Sequence, residues 1–298
     1  MPVSRVTFVG ANGPNGGNER RVSFPLDGAE PGEMVITRRI LDAVLLRRCE
    51  QAGAEVCQGS AIRALSLDSA GFWRIEAGDR RFAARRLVAA DGRNSTVACL
   101  LGAAPAARRD RVALQAHVAA PAGFTGLGRD IELHLLPQGY CGIAPLAGGL
   151  ANFCLVATSG NLDALKAAVS MRFAIAPGQQ WRAIAPLERA SIGPLRDGVA
   201  YVGDAARVLE PFTGEGIYYA LHSAALAARH IVAGSLDQYP AAHAALYRRR
   251  LWINCLARWA VTHSRSGAML LRLMSAQPAS LRFLVREVTG GGARVGAC

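Results

Sequence analysis

The sequence predicts an α/β protein with a separate antiparallel β-sheet layer and C-terminal helices. Three observations carry this. First, an apolar run over Gly198–Gly203 meets an acidic residue and a loop with Pro211, Gly214 and Gly216, and a long apolar helix follows from about Glu215 to Ala233. Second, Leu87–Ala90 is another apolar run, ending in Asp91-Gly92 with Ser95 placed to open a helix. Third, four alternating segments, 111–118, 130–136, 140–145 and 150–157, are separated by the turn sequences Pro137-Gln138-Gly139 and Ala147-Gly148-Gly149. Strands that feed helices predict parallel pairing, whereas strands joined by tight turns predict hairpins.

Along the chain, Val6–Val9 and Gly10–Gly16 imitate a strand entering a phosphate loop. The glycine spacing is G-x-x-G-x-x-G, and a polar, then strand-like stretch follows instead of a helix, so a hairpin over Arg5–Pro25 is expected. Met34–Gly53 predicts a helix with Thr37 as N-cap, an apolar face of Ile40, Leu41, Val44 and Leu45, and Gly53 as the stop; Ala54-Glu55-Val56 should begin a strand. Alternating segments 60–67, 71–77 and 81–90 follow, and Ala103–Ala107 is a small-residue linker. On the strand 130–136, Glu132, His134 and Leu136 share one face and Ile131, Leu133 and Leu135 the other, so one face should be core. Asn161 should cap a helix to Met171, and the chain from Gln238 on reads as a helical tail.

Composition excludes several classes. The chain has 298 residues and a net charge of +12, but Lys166 is the only lysine and the arginine runs lack interleaved aromatics. That pattern reads as compositional bias and argues against a nucleic-acid partner. No run of about twenty apolar residues is free of charge, so no membrane span is expected, although a membrane surface stays open as a partner. The start has no basic segment followed by an apolar one. The seven scattered cysteines form no C-x-x-C pair, which suits a reducing cytoplasm better than disulfides or a zinc site. His117, His134 and Cys141 read as strand histidines and a small buried thiol, so no catalytic residue is assigned.

A carboxylate at a strand's exit can accept hydrogen bonds from ligand hydroxyls. Glycines before a helix let the backbone approach a flat ligand, and the helix N-terminus adds positive partial charge. The whole stretch, G-D-A-A-x-x-x-x-P-x-x-G-x-G-I over 203–217, resembles the second flavin-binding motif of the FAD-dependent aromatic-hydroxylase and geranylgeranyl-reductase superfamily. A-D-G-x-x-S-x-V over 90–97 and R-x-x-L-D over 38–42 resemble two further segments of the same family. The resemblance implies a Rossmann-like FAD/NAD(P)-binding domain. Asp204 would hold the ribityl chain, the loop from Pro211 through Gly214 and Glu215 to Gly216 would face the flavin, and Gly203 and Ile217 would complete the cofactor-binding set. Asp91 and Gly92 would lie near FAD, and Arg38, or alternatively Arg39, would reach the cofactor.

The family's opening unit, a strand, G-x-G-x-x-G and a helix, is not in this sequence, and residue 1 corresponds to a point after it. The binding domain is therefore expected to be N-terminally incomplete, either through a start codon placed too far downstream or as a genuine truncated form, with weak or no FAD binding by this chain alone. The implied organisation is a partial FAD-binding domain over 1–107, a substrate-binding sheet over 108–187, the second FAD-binding segment over 188–235, and a helical tail over 236–298. The implied activity is that of an FAD-dependent oxidoreductase with NAD(P)H as electron donor, acting on an apolar or aromatic small molecule. Hydroxylation leads, flavin-dependent alkene reduction of the geranylgeranyl-reductase type is the alternative, and a non-catalytic remnant is a further one. Where flavin-dependent halogenases carry W-x-W-x-I-P, residues 139–145 hold Tyr140 as their one aromatic, which argues against halogenation.

Overall fold

The computed structural model describes residues 1–11, 19–25, 34–108, 111–119, 128–185, 187–211 and 214–262. In chain order its elements are β1 (Arg5–Ala11), β2 (Glu19–Pro25), α1 (Arg38–Gln51), β3 (Ile62–Leu67), β4 (Trp73–Ala77), β5 (Arg80–Ala84), β6 (Leu87–Ala89), α2 (Thr96–Leu100), β7 (Ala107–Arg108) and β8 (Arg111–Ala119). There follow β9 (Asp130–Leu136), β10 (Gly139–Leu146), β11 (Leu150–Thr158), α3 (Leu162–Arg172), β12 (Arg182–Ile184), β13 (Glu188–Arg189), β14 (Leu195–Arg196), β15 (Val199–Tyr201), α4 (Gly216–Val232) and α5 (Tyr239–Thr262). The helical segments expected beyond residue 262 lie outside the described residues. The chain divides into two compact units, one of residues 1–44, 110–185 and 257–298, the other of 45–109 and 186–256.

The first unit is built on a seven-stranded sheet in the order β12-β8-β11-β10-β9-β1-β2. The β1–β2 hairpin joins it through β1, which pairs in parallel with β9 and so covers an edge that would otherwise be open. Strands β9, β10 and β11 pair antiparallel, as the short turns between them require, and β8 pairs antiparallel with β11. At Gly139 a side chain would run into the Val156 carbonyl, so the tight start of β10 admits only glycine. Helix α3 packs Leu165 and Val169 against Phe153 and Leu155. Asn161 occupies the α3 N-cap position, but its side chain makes no capping bond, contrary to the sequence expectation; its φ of −106° and ψ of −4° are not those of a capping residue.

The core face of this sheet is the one that carries polar groups. Glu132 and His134 are buried, whereas Ile131, Leu133 and Leu135 are half-exposed. His134 Nε2 lies 2.7 Å from Glu132 Oε2, and Arg21 closes on the other carboxylate oxygen. Burial opposes the charge on Glu132, but His134 and Arg21 together outweigh it and hold the carboxyl below its ordinary range.

Two sequence expectations change around α1. Its apolar face is not covered: no residue of the helix is buried, and Ile40 and Val44 are 51% and 50% exposed. Residues 54–56 form no strand, because no strand among the described residues lies alongside to take their hydrogen bonds. Gly53 does end the helix, with φ of +90° and its amide on the Glu50 carbonyl.

The second unit holds a β3-β4-β5 meander, the short β13-β7 pair and a three-stranded sheet in the order β14-β15-β6. Strands β6 and β15 run parallel, with Val199, Ala200 and Tyr201 opposite Leu87, Val88 and Ala89. All three β15 residues are buried, as a parallel strand covered on both faces requires. Trp73, Leu87, Ala89, Val97 and Val199 form one core, and Ala200, Val202, Ala227 and Tyr239 a second. Among the described residues the outer edge of β6 has no strand partner.

Candidate cofactor site

Parallel pairing of β6 and β15 brings two turns to one end of a sheet, because both strands leave it in the same direction. After β15 the Val202 amide makes a last bond to the Ala89 carbonyl, and the chain then turns through Gly203-Asp204-Ala205 in one turn of 3-10 helix. Gly203 has φ of +55°, and a Cβ there would stand 2.9 Å from the Cβ of Ala220 on α4. Both the backbone conformation and the close helix approach therefore demand glycine. The Gly203 amide donates to Ser223 Oγ at 2.8 Å, and Ser223 donates on to the Tyr219 carbonyl. Tyr219, Ser223 and Ala227, four residues apart, are the buried stripe by which α4 packs.

The Asp204 carboxylate points away from this packing. Its side chain is 29% exposed, and Oδ2 lies 3.1 Å from Nη2 of Arg93. Arg93 comes from the turn after β6, so the ion pair ties the two motif turns together. Within that turn Gly92 has φ of +79°. Asp91 accepts from the Val97 amide at 3.0 Å and Ser95 from the Ala98 amide at 3.0 Å, so both side chains cap α2. Asp91 thus has a helix end to satisfy, while among the described residues the Asp204 carboxylate is held by the Arg93 side chain.

The loop to α4 supplies the remaining surface. The Gly214 amide bonds the Pro211 carbonyl at 3.1 Å and the residue has φ of +69°. A Cβ at Gly92, Gly214 or Gly216 would meet nothing within 4 Å. Glu215 is the N-cap of α4 but makes no side-chain capping bond, and Ile217 is 41% exposed on the first turn. This side of the turn has open space at Gly92, Gly214 and Gly216, a helix start and the Asp204 carboxylate, which fits a flat ligand with a polyol chain. Asp91, Gly92, Gly203, Asp204, Pro211, Gly214, Glu215, Gly216 and Ile217 all belong to this unit. Arg38 belongs to the other, where it is exposed and pairs with Asp42 one helical turn on, at 2.9 Å.

Behind the turn lies an aromatic column between α4 and α5. Tyr219 stacks on Tyr247 at 4.6 Å, His243 lies 4.5 Å from Tyr247, and the Arg207 guanidinium sits 5.8 Å over the Tyr247 ring. Burial first, and then the charge of Arg207, push His243 down to about 4. In the first unit Cys141 is fully buried and burial pushes its thiol up, which makes it inert as a nucleophile. His117 is exposed on β8.

Three contributors escaped the sequence reading. Arg93 stands inside the quoted A-D-G motif and could have been weighed there. Ser223 shows as the polar member of an apolar i, i+4 stripe. Arg189, which donates to the Asp204 and Ala205 carbonyls, has no local signal, since its partners are fifteen and sixteen residues away.

No family model matches the chain. A curated relative, conditioned medium factor receptor 1 of Dictyostelium discoideum, is 27% identical over 223 residues, which is 67% of this chain but 43% of that protein. The chain therefore spans under half the length of that relative. Among solved structures, the flavin-dependent brominase Bmp2 superposes with a TM-score of 0.72 at 17% identity, over 97% of this chain and 77% of the brominase. PqsL of P. aeruginosa, solved with 2-aminobenzoylacetate, gives 0.68 at 17% identity, over 90% and 80%. The chain has the fold of the FAD-dependent monooxygenases and halogenases.

Proposed function

We propose that this protein is an FAD-dependent oxidoreductase that takes hydride from NAD(P)H and hydroxylates an apolar or aromatic small molecule. The observation that carries the reading is the Asp204 turn: a presented carboxylate and a glycine loop with open space leading into a helix start, on a flavoenzyme fold. FAD, when bound, supplies the redox chemistry, accepting hydride and passing its electrons to oxygen. Asp204 accepts hydrogen bonds from the ribityl hydroxyls, and the first amides of α4 offer donors to the electron-rich edge of the ring. Gly214 and Gly216 let the ring lie against backbone. A cytoplasmic location and the absence of a nucleic-acid partner belong to the same reading. No helix among the described residues is long and apolar enough to cross a membrane.

The half-exposed face of the first unit's sheet supports the substrate class. Ile131, Leu133 and Leu135 lie there, and the strand registers add the Gln115–Asn152 amide pair (2.8 Å), His117 and Arg182 as polar groups on the same face. A largely apolar ligand with polar substituents suits such a surface. Because Ile131, Leu133 and Leu135 are aliphatic, alkene reduction of a prenyl-like substrate is the second reading. The test is titration of FAD into the purified chain, followed by visible absorbance and fluorescence, beside Asp204→Ala. A weak but saturable perturbation of the flavin spectrum, weakened by about a further 10–100-fold in the variant, is the expected result. An unperturbed spectrum at millimolar FAD would leave the non-catalytic remnant standing. Product analysis with NADH or NADPH, with and without oxygen, separates hydroxylation from reduction.

A further inference from the structure

We infer that Arg189, with Ser191 and Ile192, is the positioning device for Asp204, acting on its backbone rather than on its carboxylate. This rests on the reading of Asp204 as a flavin ligand. Three consecutive carbonyls leave the turn, and residues 189–192 take each of them. Arg189 Nη2 donates to the Asp204 carbonyl and, at 2.7 Å, to that of Ala205. Ser191 Oγ and the Ile192 amide reach the Ala206 carbonyl at 3.0 and 3.1 Å. The Gly203 carbonyl is already bound by the amides of Ala206 and Arg207. Every carbonyl from 203 to 206 thus has a donor.

A buried guanidinium is a costly way to satisfy two carbonyls. Arg189 is only 9% exposed, and burial opposes its charge, with Asp204 and Asp91 supplying the compensating negative field. The rigid planar donor adds a fixed direction: it pins the turn from beneath while Arg93 holds the carboxylate from the side. A hydrogen bond to a ligand hydroxyl survives only a few tenths of an ångström of displacement, so a pinned turn raises affinity without touching the ligand.

The test uses the full chain, FAD as probe, and the variants Arg189→Met, Arg189→Lys, Ser191→Ala, Asp204→Ala and the Arg189→Met/Asp204→Ala double variant. Arg81→Met, on an 86% exposed side chain, controls for net charge. Arg189→Met is expected to weaken FAD about 10–100-fold. Arg189→Lys should restore part of that, and Ser191→Ala should cost less. The double variant should bind no more weakly than Asp204→Ala alone, because both changes remove one interaction. Hydrogen exchange without FAD should quicken at the amides of Ala205–Arg207 and stay unchanged in the β3–β5 meander. If Arg189→Met fails to fold, Arg189→Lys and Ser191→Ala carry the test. Wild-type affinity in the Arg189 and Ser191 variants while Asp204→Ala has lost it, or losses that simply add, overturns the positioning role and leaves the site standing. Equal FAD binding by wild type and Asp204→Ala, or none by either, overturns the site reading and this inference with it.

Discussion

Two carboxylates in this chain each face an arginine, and they do different work. Glu132 in the first unit is shut in, its side chain 9% exposed, with His134 on one oxygen and Arg21 on the other. Asp204 in the second unit keeps 29% exposure and a single arginine on one oxygen. Ion pairing as such therefore separates nothing. What separates them is where the unused hydrogen-bonding capacity points: Glu132 spends both oxygens inside the sheet, while Asp204 has its backbone pinned and its carboxylate turned outward. A buried, fully spent pair is architecture; a pinned carboxylate that still reaches solvent is the one proposed to bind a ligand.

The largest expected effect tests that distinction directly. Glu132→Ala strands His134 and Arg21 and should cost about 3–5 kcal/mol by urea denaturation, toward the lower end because Arg21 is half-exposed. Its effect on flavin affinity should be small. Asp204→Ala should do the reverse, costing about 0–1 kcal/mol of stability, since both partners of its pair reach solvent. If both variants lose stability alike, the comparison fails.

Much of the second unit was legible because its signals are local. The strand, the Gly-Asp turn and the helix follow one another within thirty-five residues, and Gly203 answers to two constraints that only glycine meets. Helix α4 lies within one residue of its expected bounds at each end, because Gly216 opens the apolar run and Gly234 follows it. The first unit was less legible. Alternation along β9 said that one face is buried but not which, and the polar face won because Glu132 and His134 satisfy each other there. The α1 stripe of Ile40 and Val44 promised a covered face, and no cover lies on it among the described residues. Arg189 was invisible for a different reason, since its role exists only once β13 is brought beside the turn by tertiary structure.

The aromatic column allows the comparison to be sharpened by pH. His243 is 3% exposed, with Tyr239 and Tyr247 against its ring and the Arg207 charge nearby, and among the described residues its Nε2 has no hydrogen-bond partner. The unfolded chain takes up a proton on this ring near pH 6.5, the folded chain only near 4. Between those values the unfolded state binds more protons, so stability falls as pH drops from 6.5 toward 4. The loss should approach about 3 kcal/mol at pH 4. Glu132 works in the same direction at lower pH: its depressed carboxyl contributes stability above the ordinary carboxylate range and loses it as pH falls through the folded value. Thermal midpoints of His243→Phe should therefore be flatter between pH 6.5 and 4 than those of the parent. A parallel decline in both proteins would assign the acid sensitivity elsewhere.

The smallest effect separates packing from presentation within the site itself. Gly203 and Gly214 both have positive φ, +55° and +69°, so alanine at either position carries a conformational cost of about 1 kcal/mol. Their surroundings differ. At Gly203 the new methyl would meet Ala220 of α4 at 2.9 Å, and relieving that overlap means shifting a helix whose Tyr219, Ser223 and Ala227 are already packed. Gly203→Ala should therefore lose about 2 kcal/mol in total. At Gly214 the methyl meets nothing within 4 Å, so stability should fall by only the conformational share. That open space is where the flavin ring is proposed to lie, and Gly214→Ala should weaken FAD more than its stability loss explains. Comparison of denaturation midpoints with flavin titrations for the two variants decides it. Equal stability losses, with unchanged flavin binding in Gly214→Ala, would mean that the loop before α4 is an ordinary crossover and that the open side of the Asp204 turn holds no ring.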